Sequence, residues 1–451
     1  MSGPMPRVYL RLGSHSEKQY VLKTAGLFEG VIVGANLLES TPGATVSLAV
    51  KIMGGFKKAF AVDPMTYTFG MDLGYIQSET IDRSSTRPGA RKIALKKSFA
   101  NLAKHFGEPV SSSVLRAKKS VSPADFTAKS IKDFSFAVFQ YQVNRMKIQW
   151  DSDPQLKEFA KVLPTPSFVF SPYFFTPFER TSNAWTAWHE LNIALATDFA
   201  QIDSPLEKHS VLCIDKSVLR SRSVLTRIGQ DYIETGCRAC WLWLSNLIEE
   251  DIEDEELSNL VALSAQFRDA GIDLYNSHGG YLSAILSKHG MTGFSHGVGY
   301  GESKDVIPII GVTVPTVNYH LPPLHVRVPM LELERALPEL KIRNATEFHR
   351  RICDCTVCKG VLKGNLSNLH EFGDTVLKVG NTRESQTPDS AKKCRFHFLL
   401  ARRKEMERIA ASSLEEIKRH LSDKAAEYGL LPPYLGLRSR TQHLRTWSKW
   451  I

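Results

Sequence analysis

Long hydrophobic runs are missing from this chain. Nowhere do about 20 consecutive apolar residues occur, the length a membrane-spanning helix requires. A signal peptide is not expected either. Cysteine is scarce, with seven in 451 residues, and the odd count argues against a disulfide framework. Reduced thiols in a cytoplasmic protein are therefore expected. Acidic residues are in the minority, 47 Asp+Glu against 57 Lys+Arg, for a net charge of +10. That surplus favours a polyanionic partner such as nucleic acid. A His-x-His pair on an early strand is also lacking, which argues against a metal-hydrolase barrel built on His278, His296, His320 and His325.

The cysteines that are present cluster. Cys353-Asp354-Cys355-Thr356-Val357-Cys358 brings three thiolates within six residues, enough to wrap one face of a tetrahedral ion. The third enters the start of a helix. His397, opening a later charged helix, is the first choice for a fourth ligand, with His370 and Cys394 as alternatives. Four protein ligands leave no open position, so the expected cofactor is one structural Zn2+. Cys237 and Cys240, beside Trp241 and Trp243, read as a packed pair of thiols rather than a redox pair.

Apolar content of 43% permits a sizeable core. Short apolar stretches bounded by turn residues predict strands at 30–37, 58–62, 166–175, 209–214, 241–244, 272–280, 293–302 and 316–328. Helical patterns at 46–54, 93–106, 124–146 and 182–198 alternate with them. Eight strands with helices between predict an α/β fold, a (β/α)₈ TIM-like barrel over residues 28–330. An irregular lead covers 1–27, a zinc-binding region 331–410, and an amphipathic helix with a basic tail 411–451. Functional groups should lie at the C-terminal strand ends: Asp63, Ser171, Asp215, His278, Gly279, Gly280, His296, Glu302 and His320.

Charge is unevenly spread. Ten Lys and Arg fall between Arg83 and Lys119, a candidate phosphate-contacting segment. The acidic run from Glu249 to Glu256 reads as the solvated start of a helix that faces away from any such partner.

A barrel followed by Cys-x-Cys-x-x-Cys and a later histidine resembles the guanine transglycosylase superfamily, over residues 28–410. The 38 residues between Cys358 and His397 exceed the spacing of the tRNA enzymes, so the resemblance is to the branch that inserts 7-deazaguanines into DNA. It implies exchange of guanine in nucleic acid, DNA favoured and RNA possible, for a 7-deazaguanine base, with further protein partners possible. Asp63 resembles the aspartate of the family's Asp-Ser-Gly-Gly-Phe segment, with Pro64-Met65-Thr66-Tyr67 in place of the rest. Asp215 stands where the family has a base-reading glutamine. Gly279-Gly280 resembles its base-binding glycine pair, and Gly297-Val298-Gly299 its Gly-Val-Gly turn. Where the family has a nucleophilic aspartate, this chain has Ser295 after Phe294, or the Asn318-Tyr319-His320 segment. The resemblance implies Asp63 as a catalytic carboxylate and Asp215, Gly279 and Gly280 as substrate-binding residues; among the strand-end groups, Glu302 is the candidate for the missing catalytic carboxylate, and Ser171 and His278 are further substrate-binding candidates. The missing aspartate also suits a non-catalytic nucleic-acid-binding barrel subunit of a larger modification complex.

Overall fold

Alternation of large apolar residues lets each of eight short strands bury both faces, one toward a barrel axis and one under helices. A computed structural model describes residues 4–81, 91–152, 154, 165–179, 184–299, 301–308, 316–377 and 384–451. Its main sheet contains β1 (Arg7–Leu12), β2 (Gly30–Gly34), β3 (Ala59–Asp63), β4 (Phe168–Phe170), β5 (Glu207–Asp215), β6 (Ala239–Ser245), β7 (Asp273–Asn276) and β8 (Met291–His296). The spatial order is β3-β2-β1-β8-β7-β6-β5-β4, and every pairing is parallel. The seam between β3 and β4 is bridged rather than open. Ser167 N–H donates to the Phe60 carbonyl at 2.9 Å, and Phe60 N–H donates to Ser167 Oγ at 3.1 Å. The sheet is therefore a nearly closed TIM-like barrel.

Aromatic rings fill the barrel. Tyr9, Phe168, Phe170, Trp241, Trp243 and Tyr275 form one buried cluster with Ile32, Ala61, Val211 and Cys213. Trp241 stacks on Tyr275 with centroids 4.6 Å apart and planes 12° apart. The alternate residues Leu10, Leu12, Val31, Val33, Phe60 and Val62 point outward and pack in a second cluster. Each such side chain contributes about 1.5–3 kcal/mol by leaving water. Among the helices, Ala128–Ser152 buries Phe134, Phe139 and Tyr141, while Phe136 on the same helix is 51% exposed.

Two strand assignments from sequence are corrected. The lead contains β1, which pairs with both β2 and β8 and so completes the barrel from within residues 1–27. Conversely, 316–328 supplies no barrel strand. Tyr319–Leu321 and Val326–Val328 form a separate antiparallel hairpin around Pro322-Pro323, and the last barrel strand ends at His296. Proline cannot donate to a ladder, so a central strand could not run through that pair. After the hairpin come Met330–Ala336, Ala345–Arg351, Thr356–Leu362, Pro388–Ala411, Leu414–Gly429 and Gln442–Trp450, all helical. Among the described residues, no helix is long and apolar enough to cross a membrane.

Candidate metal centre and barrel mouth

The cysteine spacing folds as its chemistry requires. Cys355 caps the helix Thr356–Leu362, its Sγ accepting from Cys358 N–H at 3.4 Å, so the third thiol turns back toward the first two. His397 Nδ1 lies 3.7, 3.4 and 3.4 Å from the sulfurs of Cys353, Cys355 and Cys358. Tetrahedral zinc, with bonds of about 2.3 Å to sulfur and 2.0–2.1 Å to nitrogen, separates neighbouring S and N donors by about 3.6 Å. The four buried donors fit a metal ion, and thiolates with imidazole suit zinc. His397 Nε2 donates to the His320 carbonyl at 2.6 Å, which fixes the tautomer that leaves Nδ1 free for a metal. Tyr319 stacks on the same imidazole at 4.1 Å and reaches Cys358 Sγ with its hydroxyl at 3.3 Å.

The rival fourth ligands are engaged elsewhere. His370 Nδ1 donates to the Ser367 carbonyl at 2.6 Å on the exposed surface, and Cys394 Sγ donates to the Phe372 carbonyl at 3.2 Å. His397 sits inside the helix Pro388–Ala411 rather than at its start, because the helix begins at a Pro388 capped by Thr387. Among the described residues no second metal-ligand group exists. His320 and His325 share Glu405, at 3.1 and 2.6 Å, while His296 bonds the Gly297 carbonyl. Cys237 and Cys240 are buried free thiols, pushed up by burial to about 11 and about 12.

At the C-terminal end of the barrel a cavity of 360 Å³ opens, lined by Arg11, Glu17, Asp63, Tyr67, Trp243, His278 and Lys304 among others. Asp63 ends β3 with Oδ2 accepting from Arg11 Nη1 at 2.7 Å. Its Oδ1 accepts from the Tyr173 hydroxyl at 2.8 Å and from Met65 N–H at 2.9 Å. The carboxylate thus caps its own turn and is also clamped at the mouth. Thr66 holds the clamp in place, its hydroxyl donating to the Tyr173 carbonyl at 2.6 Å. Arg11 also donates from Nε to Ser295 Oγ at 2.9 Å. Glu17 Oε2 accepts from Gly13 N–H at 2.8 Å.

His278 is buried against Trp243, ring centroids 4.9 Å apart. Burial, helped by the charges of Arg11 and Lys304, pushes its imidazole well below the usual histidine range, so the ring is neutral. Nδ1 faces the Gly301 carbonyl at 3.3 Å and must donate to it. Nε2 is consequently a lone-pair acceptor, and it has no partner among the described residues. The segment 301–308 is pinned near it. Trp243 Nε1 donates to the Lys304 carbonyl at 2.9 Å, Ser245 Oγ donates to Asp305 Oδ1 at 2.8 Å, and Lys304 Nζ lies 5.1 Å above the Trp243 ring.

Several residues expected at this mouth do different work. Gly279 N–H donates to the Ser295 carbonyl at 3.0 Å, and Gly280 N–H to Glu249 Oε1 at 2.8 Å, so neither is free to bind a base. Asp215 caps the following turn through Ser217 N–H at 2.8 Å, and Ser171 is buried; neither lines the cavity. Glu302 lines a separate 1030 Å³ cavity, paired with Arg327 at 2.8 Å and with Arg402. Burial raises its carboxyl, but the two guanidiniums outweigh this and bring it down to about 2. Glu249 and Glu256 are buried, not solvated: Glu249 accepts from the N-terminus of the helix Tyr281–Ile285, and Glu256 pairs with Arg220. In the basic segment, Arg83 and Arg87 lie outside the described residues, while Lys96, Lys97, Lys104 and Lys118 are exposed.

Of the lining residues named above, five are not expected from sequence: Arg11, Glu17, Tyr67, Trp243 and Lys304. Arg7, Tyr9 and Arg11 alternate with apolar residues, and that period of two was the available signal for an inward-facing face of β1. Compared with known proteins, the chain matches no family model and no curated protein.

Proposed function

We propose that this chain is a base-exchange transglycosylase of the guanine transglycosylase type, replacing guanine in DNA, with RNA the lesser alternative, by a 7-deazaguanine. The observation that carries the reading is the clamped Asp63 carboxylate beside an unpartnered imidazole acceptor in an aromatic-walled cavity at the barrel's C-terminal end. One structural zinc on Cys353, Cys355, Cys358 and His397 would hold the appended region in place.

A guanine rotated out of a strand would enter edge first. His278 Nε2 would accept a hydrogen bond from a ring or exocyclic N–H, and Tyr67 and Trp243 would offer flat apolar surface. Arg11 and Lys304 place positive charge where the departing base gains negative charge. Asp63 would face C1′, stabilising or trapping the cation as the C–N bond breaks. The proton gained by the outgoing guanine balances the one released by the incoming base. Glu17, the other carboxylate lining the mouth, is the residue suited to relay it. Ser295 does not replace a nucleophilic carboxylate, since its hydroxyl donates to the Ser277 carbonyl at 2.5 Å and accepts from Arg11.

That commitment of Ser295 favours one competing reading, a barrel that binds nucleic acid without exchanging bases. Incubating the purified protein with guanine-labelled DNA and a 7-deazaguanine separates the two. Label release by the native protein, abolished in Asp63→Asn, is the expected result. Tight DNA binding with no release in either protein would establish the binding-only barrel.

A further inference from the structure

A third cavity, of 370 Å³, lies where four elements of the appended region meet: the turn Pro322-Pro323 and the helices Ala345–Arg351, Pro388–Ala411 and Leu414–Gly429. Five cations line it: Arg350, Arg351, Lys404, Arg408 and Lys424. The anions within reach are too few to balance them. Arg351 and Lys424 share the single carboxylate of Glu427, Lys424 at 2.6 Å. Lys404 shares Asp354 with Lys359. Glu405 also lines the cavity, but it is held by Arg402 at 2.9 Å and by His320 and His325.

Arg350 and Arg408 have no carboxylate partner among the described residues. Arg408 Nη2 contacts only the Tyr281 hydroxyl at 2.9 Å and His325 Nε2 at 3.4 Å. His420 adds an Nε2 that is shielded from solvent and has no hydrogen-bond partner among the described residues. Like charges gathered into one concave site repel each other, and an anionic ligand removes that repulsion while satisfying the donors.

We propose that this cavity is a phosphate-binding site, with Arg350, Arg408 and Lys424 as its donors and His420 Nε2 completing the shell. Its volume falls at the lower end of the roughly 300–1,000 Å³ typical of ligand pockets, ample for a phosphate or a small phosphate ester. Two guanidiniums suit the tetrahedral oxyanion, because each presents a planar fork of donors. The positive field of the site is visible in His420 itself. Burial first, then Arg408 and Lys424, bring its imidazole down to about 4.

Equilibrium dialysis of the full-length, metal-loaded protein against radiolabelled inorganic phosphate tests this. The native chain should bind one phosphate saturably. Arg350→Gln, at an exposed position with no partner to lose, should fold normally and weaken phosphate binding about tenfold. Lys129→Gln makes the same charge change at an exposed site on the helix Ala128–Ser152, outside the cavity, and should leave binding unaltered. Absence of saturable binding to the native chain, or equal weakening by Lys129→Gln, would overturn the site. A DNA oligonucleotide then identifies the source of the phosphate. A salt slope lower by about one in Arg350→Gln assigns a backbone phosphate. An unchanged slope with weakened inorganic phosphate assigns a free phosphate or phosphomonoester.

Discussion

Arg11 and Asp63 meet across the barrel mouth, Nη1 2.7 Å from Oδ2, with side chains only 16% and 8% exposed. They belong to strands separated by β2, so the pair ties three adjacent strand ends together. A carboxylate placed so deeply needs its partner, because removing one member leaves an uncompensated charge. Arg11→Met and Asp63→Asn are each expected to lower unfolding stability by about 1–3 kcal/mol. The double variant should lose less than the sum, by about 0.5–3 kcal/mol of coupling. Urea unfolding of the four proteins measures the cycle. Strict additivity would mean the pair is solvent-screened and exerts no hold on the mouth.

Glu302 gives a pH signature. Its folded-state carboxyl is brought down to about 2 from an ordinary 4.5, by Arg327 and Arg402 acting against burial. A depressed folded value contributes stability above the unfolded pKa, and that stability is lost as pH falls from about 4.5 toward about 2. The shift corresponds to about 3 kcal/mol at neutral pH. Glu302→Gln should therefore be markedly less stable than the native chain at pH 7, and the gap should close as pH falls through that window. Thermal melts from pH 7 down to pH 3 follow it. A gap independent of pH would show that the loss is one of packing rather than charge.

What sequence could reveal here depended on how local the determining interactions are. The three thiols, and the strand that ends on Asp63, were legible because spacing within a few residues fixes them. Glu302 lies in another cavity, and its pairing with Arg402 is invisible in sequence because the two are a hundred residues apart. Gly279 and Gly280 looked like exposed base-binding amides, but β8 and Glu249 consume their N–H groups. β1 escaped notice for the opposite reason. Its inward face carries Arg11, which reads as solvent-facing in isolation and becomes largely buried only when the barrel closes, while Arg7 at the strand's start stays exposed. The count of eight survived because the overlooked β1 was offset by the hairpin at Tyr319–Val328.

Closure also leaves a steric mark on β8. A Cβ added to Gly293 would lie 2.0 Å from the Arg7 carbonyl oxygen, a backbone atom of the neighbouring strand. No rotamer change can relieve that contact, so β1 and β8 would have to separate. Gly293→Ala is expected to cost about 3 kcal/mol, the upper part of the range for overpacking. Gly55→Ala, with open space around its Cβ, should be nearly silent by comparison. Equal melting temperatures for the two variants would contradict the β1–β8 pairing.

The metal centre offers the sharpest test of the appended region. Its donors come from the start of one short helix and the middle of a long one, 39 residues apart in sequence for Cys358 and His397. Apart from the Lys404–Asp354 ion pair, only side-chain packing and the shared ion would join these segments at that point, so the ion is expected to act as part of the fold. The purified protein should carry one zinc per chain. Cys355→Ala removes both a ligand and a helix cap, and its zinc content should fall well below one equivalent. His397→Ala should do the same and also free the His320 carbonyl. His370→Ala and Cys394→Ser should keep the metal, since both side chains hydrogen-bond to carbonyls outside the cluster. Chelation at neutral pH should lower the melting temperature of the native chain and leave that of Cys355→Ala unchanged. Elemental analysis and melting curves on the five proteins decide the matter, and full zinc occupancy in Cys355→Ala would place the ion elsewhere.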